Sequence, residues 1–175
     1  MPDFKIMEIS SPNYDDRPAG TVIDLVVIHA ISLPPGEFGG RQVIDFFTNS
    51  LAFDDNPYFL RLTGLKVSSH YFIDRSGRVV RFVDDADRAW HAGVSSFAGR
   101  DNCNDFSIGI ELEGSDFTPF SEIQYVRLNS LLKDLKSLYP TITNKRIVGH
   151  CHIAPQRKSD PGPLFDWSRI GVEFD

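Results

Sequence analysis

The sequence predicts an α/β fold, a single domain with a central mixed β-sheet flanked by helices. Short apolar, β-branched runs interleave along the chain with segments of helical period. No internal repeat or low-complexity stretch breaks that order. At 175 residues, 41% of them apolar, the chain is long enough for one hydrophobic core without staples.

Residues 1–20 are rich in Pro, Asp and Asn and read as an irregular arm wrapping the surface of the 1–175 domain. Thr21–His29, TVIDLVVIH, reads as a buried strand, apolar on both faces apart from Asp24. Ser32–Gly40 is a loop by its Pro and Gly content, and Val43, Ile44, Phe46 and Phe47 are spaced for a short helix over Arg41–Thr48. Ser69–Val83 carries the turn DRSGR between two apolar runs and predicts a hairpin. Phe106–Glu113 alternates Phe106, Ile108, Ile110 and Leu112 with Ser107, Gly109, Glu111 and Glu113, so two carboxylates share one strand face. Ser121–Tyr139 predicts the longest helix. Ser121 and Gln124 fit a capping box, Ile123, Leu128, Leu131, Leu132, Leu135 and Leu138 form its stripe, and Pro140 ends it. Arg146–His150 predicts a last strand, and Phe165–Ile170 a final helical turn.

A net charge of −6 argues against a general nucleic-acid binder. No apolar run approaches the ~18 to 20 residues of a membrane span, and no basic, apolar leader precedes the arm. Cys103 and Cys151 stand in unlike contexts and suggest no disulfide framework. These features point to a reducing cytoplasm, and a monomer acting on a small molecule is the expectation carried forward.

Chemistry-bearing residues concentrate in GHCHIAPQRKSDPGP, Gly149–Pro163. Pro155, Pro161 and Pro163 restrict where Lys158 and Asp160 can point. His29 and His150 each end a strand-like run, where ligand sites of α/β sheets gather. Two such imidazoles plus Asp160 make a zinc site with a position open to water. If the last strand continues, His150 and His152 share a face, and an all-imidazole site of His29, His150 and His152 is the alternative. Glu111, beside the small Gly109, is a candidate proton carrier if shielded from water, and a solvated edge residue otherwise. Trp90 and His91, in RAWHAG, suit either sugar stacking or burial. A thiol nucleophile at Cys103 or Cys151 needs an imidazole that spacing does not reveal.

SPNYDDRP, VVIHAISLPPGEFGG, SSHYFIDRSG, RAWHAGVSSFAGR, CNDFSIGIELEG and GHCHIAPQRKSDPGP occur in this order between about Ser11 and Trp167. Together they resemble the zinc N-acetylmuramoyl-L-alanine amidases, and within them the AmpD type. The resemblance implies one Zn²⁺ held by His29, His150 and Asp160, which leaves His152 a structural role. It implies Glu111 as acid/base and Lys158 as the cation at the oxyanion. Trp90, His91, Lys66, His70 and Asn104 become the expected substrate-binding residues. The implied reaction is hydrolysis of the amide between 1,6-anhydro-N-acetylmuramic acid and L-alanine of recycled muropeptides.

Ala30 stands where such sequences commonly carry Asn, Asn102 where a basic residue is common, and Lys66 where Arg is frequent. These departures bear on the grip on the peptide, not on the metal. A non-catalytic peptidoglycan-recognition module and an amidase acting on intact peptidoglycan are the competing expectations.

Overall fold

The computed structural model describes residues 4–174. Its strands are β1 (Ile6–Glu8), β2 (Tyr14–Asp16), β3 (Leu25–Ile31), β4 (Tyr71–Ile73), β5 (Val79–Arg81), β6 (Asp87–Ala89), β7 (Ser96–Phe97), β8 (Arg100–Asp101), β9 (Ser107–Glu113) and β10 (Ile147–Gly149). The helices are α1 (Gln42–Phe47), α2 (Glu122–Leu138) and α3 (His150–Ile153). Six strands form the central sheet in the order β1-β5-β4-β9-β3-β10. The β4–β5 pair is antiparallel, and every other pairing in this sheet is parallel. The fold is thus a single domain with a mixed sheet flanked by helices, as the sequence predicts.

β9 is central, between β4 and β3, and all seven of its residues are buried. Its Ile108, Ile110 and Leu112 pack with Val26 and Ile28 of β3 against Leu128, Leu131, Leu132 and Leu135 of α2. Each such leucine contributes about 1.5–3 kcal/mol by leaving water. The N-terminus of α2 is fixed as expected: Ser121 N–H donates to Gln124 Oε1 at 3.0 Å. Gln124 then donates from Nε2 to the carbonyls of Ile73 and Glu113, tying the helix to two strands. Tyr125 is buried in place of Leu138, which is 67% exposed.

The opposite sheet face is covered in two patches. α1 sets Val43, Ile44, Phe46 and Phe47 against Phe72 and Val80. α3 sets Ile153 against Val27 and Val148. Between the patches, the C-terminal halves of β3 and β9 stay open, and the cleft forms there.

Four local readings change. The N-terminal segment, expected to be irregular, holds two strands: β1 extends the sheet edge on β5, and β2 pairs with β6. Arg17 anchors this segment by donating to the carbonyls of Asp85, Asn104, Asp105 and Ser107. β3 begins at Leu25 rather than Thr21, because the Asp24 carboxylate pairs with Arg100 and Arg146 at its start. The hairpin turn is as predicted, with Asp74 Oδ1 accepting from Ser76 and Arg78 N–H and Gly77 at φ +81°. The last strand stops at Gly149 and the chain enters α3 at His150. The final turn is a short 3₁₀ helix, Trp167–Ile170.

Candidate active site

Parallel register sets His29 of β3 beside Glu111 of β9, so both side chains leave the sheet on its open face. β10 pairs with β3 on the other side and delivers His150 immediately after its last residue. At that point the chain turns helical. Successive α-helical residues rotate by about 100°, which sends His150 and His152 to opposite sides. His152 packs on Trp167 and Phe174, and its Nδ1 accepts from Gly149 N–H at 2.8 Å. The His-x-His alternative is thereby removed, and His152 is structural. The loop after α3 folds back, with Cys151 N–H donating to the Asp160 carbonyl at 2.9 Å, and brings the Asp160 carboxylate to the two imidazoles.

The donors converge closely. His29 Nδ1 lies 3.0 Å from His150 Nδ1 and 3.1 Å from Asp160 Oδ2, and His150 Nδ1 lies 3.1 Å from the same oxygen. His150 Nε2 is 3.0 Å from the Ala92 carbonyl, which can only accept. Nε2 therefore donates to that carbonyl, and Nδ1 is the nitrogen that faces the cluster. Burial lowers the pKa of His29 from its ordinary 6.5 to about 4 against the opposing pull of Asp160, so its imidazole is neutral at pH 7. Two imidazoles and one carboxylate, aimed at one point, fit a divalent cation of borderline softness.

Glu111 borders this cluster. It is buried, and Oε2 has no hydrogen-bond partner among the described residues. Burial pushes its pKa well above the ordinary value; the charge of Asp160 adds to this and Lys158 opposes it. Glu113, two residues on, differs in every respect that matters: its carboxylate accepts from Gly39 and Arg75 N–H. One carboxylate is thus a tie between loops, and the other is an unsatisfied group in a cleft. A cleft of about 650 Å³ opens over His29, Glu111, His150, Lys158 and Asp160. Phe46, Phe47, Leu62, Leu65, Asp116 and Phe117 are among the residues that line it.

The expected substrate-binding residues are mostly elsewhere. His70 is fully buried, with Nδ1 accepting from Gly109 N–H and Nε2 against the Asp87 carbonyl and Arg17. Asn104 uses Oδ1 to accept from His91 and Ala92 N–H, so it shapes the loop behind the site. Trp90 Nε1–H donates to Asp15, and neither it nor the exposed Lys66 lines the cleft. His91 reaches the cleft wall but is 8% exposed and lies against His29. Ala30 lines the cleft, whereas Asn102 is exposed in a left-handed turn at φ 58°. Sequence reading missed these apolar walls, because Leu65 and Phe117 lie in loops and Leu62 ends a short 3₁₀ helix, Phe59–Leu62, none of them with a period. Cys103 and Cys151 are both free thiols, and burial raises the pKa of each, contrary to what a nucleophile requires.

Two effects on stability follow. A Cβ on Gly109 would meet the His91 ring at 2.4 Å. Gly109→Ala is expected to cost about 1–3 kcal/mol, read as a lowered urea midpoint with unchanged slope. Second, burial depresses His29 to about 4, while burial and then the charge of Arg17 depress His70 to about 3. Between pH 6.5 and those values the unfolded chain binds protons that the folded chain refuses. Stability of the metal-free protein is therefore unaffected by these groups above pH 6.5 and falls as pH drops toward 4, by on the order of a few kcal/mol. Urea midpoints measured from pH 7 to pH 4 check the sign.

The model of the N-acetylmuramoyl-L-alanine amidase family matches residues 19–163. The 1,6-anhydro-N-acetylmuramyl-L-alanine amidase AmpD of Haemophilus influenzae is 53% identical over 162 residues, 93% of this chain and 88% of that protein. A crystal structure of an AmpD selenomethionine derivative superposes with a TM-score of 0.92 at 48% identity, covering 94% of this chain and 92% of that one. The Escherichia coli amidase AmiD was solved with anhydro-N-acetylmuramic acid-L-Ala-D-γ-Glu-L-Lys. It matches with a TM-score of 0.62 at 31% identity, over 89% of this chain and 61% of that one. With the sequence match covering most of the chain and an AmpD structure matching nearly all of the fold, the chain belongs to the N-acetylmuramoyl-L-alanine amidase family.

Proposed function

We propose that this chain is a cytoplasmic zinc amidase that hydrolyses the bond between 1,6-anhydro-N-acetylmuramic acid and L-alanine of muropeptides, in peptidoglycan recycling. The observation that carries this reading is the His29–His150–Asp160 cluster with the unsatisfied Glu111 at its side. The name of the Haemophilus influenzae relative and the ligand of the AmiD complex support the choice of substrate. Among the described residues no helix is long and apolar enough to cross a membrane.

In the mechanism, His29, His150 and Asp160 would hold the ion. Zinc, when bound, acts as a Lewis acid on the scissile carbonyl and makes water acidic near neutral pH. Because Asp160 adds negative charge, that acidity is weaker than three imidazoles would give, and a protein base has a task. Glu111, with its proton affinity raised by burial, accepts the proton of the attacking water. It then returns that proton to the departing nitrogen of L-alanine. Lys158 extends a fixed positive charge to the carbonyl oxygen as it becomes anionic, an effect worth on the order of 10²–10³ in rate.

Digestion of an anhydromuropeptide and of an intact muropeptide side by side, with products identified by mass, tests the assignment. The expected products of the first are anhydro-N-acetylmuramic acid and a peptide with a free L-alanine amine, formed faster than those of the second. Absence of cleavage in both overturns the reading in favour of a recognition module. Equal rates overturn the choice of substrate in favour of intact wall.

A further inference from the structure

We infer that His91 is a positioning residue that fixes the tautomer of His29, and that the loop carrying it orients both imidazoles of the metal cluster. This deepens the zinc amidase reading and rests on it.

Hydrogen-bond polarity runs one way through this set. The Ser107 hydroxyl lies 2.6 Å from the Cys103 carbonyl, which can only accept, so its single proton points there. His91 Nε2 is 3.2 Å from the same hydroxyl and must donate to it. A neutral His91 with its proton on Nε2 carries a lone pair on Nδ1. That Nδ1 is 2.9 Å from His29 Nε2, which therefore donates. His29 is left with a lone pair on Nδ1, the atom 3.0 Å from His150 Nδ1 and 3.1 Å from Asp160 Oδ2. With one proton on each of the two rings, the direction of every hydrogen bond in this set follows from the Cys103 carbonyl. The reversed tautomer would put a proton on His29 Nδ1, where a cation needs electrons.

The neighbouring residue does the same for His150. The Ala92 carbonyl accepts from His150 Nε2 at 3.0 Å and from Arg157 Nη2 at 2.7 Å. Asn104 Oδ1 holds His91 and Ala92 in place through both backbone N–H groups. Two adjacent residues of one clamped loop thus face the non-ligating nitrogens of two imidazoles that come from different elements, β3 and α3. Gly109 belongs to the same device, since only a residue without a Cβ leaves room for the His91 ring. Outer partners of this kind usually matter 10–100-fold for metal affinity.

The test uses the full chain and zinc alone. In the metal-free protein, ¹⁵N-resolved imidazole spectra are expected to place the His29 proton on Nε2. Zinc affinity, titrated against a competing chelator, is expected to fall about 10–100-fold in His91→Leu, which keeps the volume buried but removes the acceptor. His91→Asn, whose amide oxygen takes the place of Nδ1, is expected to recover most of that loss and the Nε2–H signal. A His91→Leu variant that binds zinc as tightly as the wild type, or an Asn variant no better than Leu, overturns the inference. If His91→Leu does not fold, Ser107→Ala decides: removing the hydroxyl is expected to weaken zinc binding in the same direction, and unchanged affinity overturns the inference. Failure of the wild type to bind zinc overturns the amidase reading beneath it, which separates the two outcomes.

Discussion

Glu111→Ala is expected to lower amide hydrolysis by about 10²–10⁴-fold while leaving zinc bound. Glu111 is adjacent to the metal cluster in register but contributes no donor atom to it. Its buried oxygen without a partner is a cost to the folded state, so its removal is not expected to destabilise the protein. Activity and stability should thus move independently. The check is turnover of an anhydromuropeptide together with zinc content and urea midpoint on the same preparation. Near-normal turnover would remove the acid/base role from Glu111.

Asp160→Ala is expected to release zinc and take hydrolysis to background. The loss removes the only charged donor of the cluster, leaving two imidazoles for the ion. Its effect on affinity is expected to exceed the 10–100-fold typical of a lost outer partner. The metal-free variant should stay folded, because a partly exposed carboxylate is replaced and the loop keeps its backbone tie from Cys151. Zinc analysis after dialysis and circular dichroism separate metal loss from unfolding. A variant that retains zinc at wild-type affinity would place the third donor elsewhere.

The elements legible in the sequence were those whose period or turn chemistry is local. β9 shows alternation, α2 shows a capping box and a leucine stripe, and the hairpin shows Asp74 and Gly77 at fixed offsets. The strands of the N-terminal segment were not legible, because IME and YDD have no alternating pattern and form only by pairing with β5 and β6. The change from strand to helix at His150 carries no side-chain signal either, since its cap is Gly149. At the site, the choice of Glu111 over Glu113 came from resemblance, and the structure adds the physical difference between a satisfied and an unsatisfied carboxylate. His91 was expected to touch substrate, whereas its nitrogens are engaged by His29 and Ser107. Gly109, Ser107 and Glu111 do share a strand face in the sequence pattern, and that face is where the ring docks. Which ring docks there depends on a contact spanning 62 residues from His29 to His91, beyond the reach of local pattern.

Zinc titration of the metal-stripped full chain, with anhydromuropeptide hydrolysis followed at each addition, is the most direct measurement. Hydrolysis is expected to be absent without metal, to rise with zinc and to saturate when His29, His150 and Asp160 are filled by a single ion. Full-rate hydrolysis by the metal-stripped protein, or an intact amide with zinc saturating, would contradict a zinc amidase centred on these three residues.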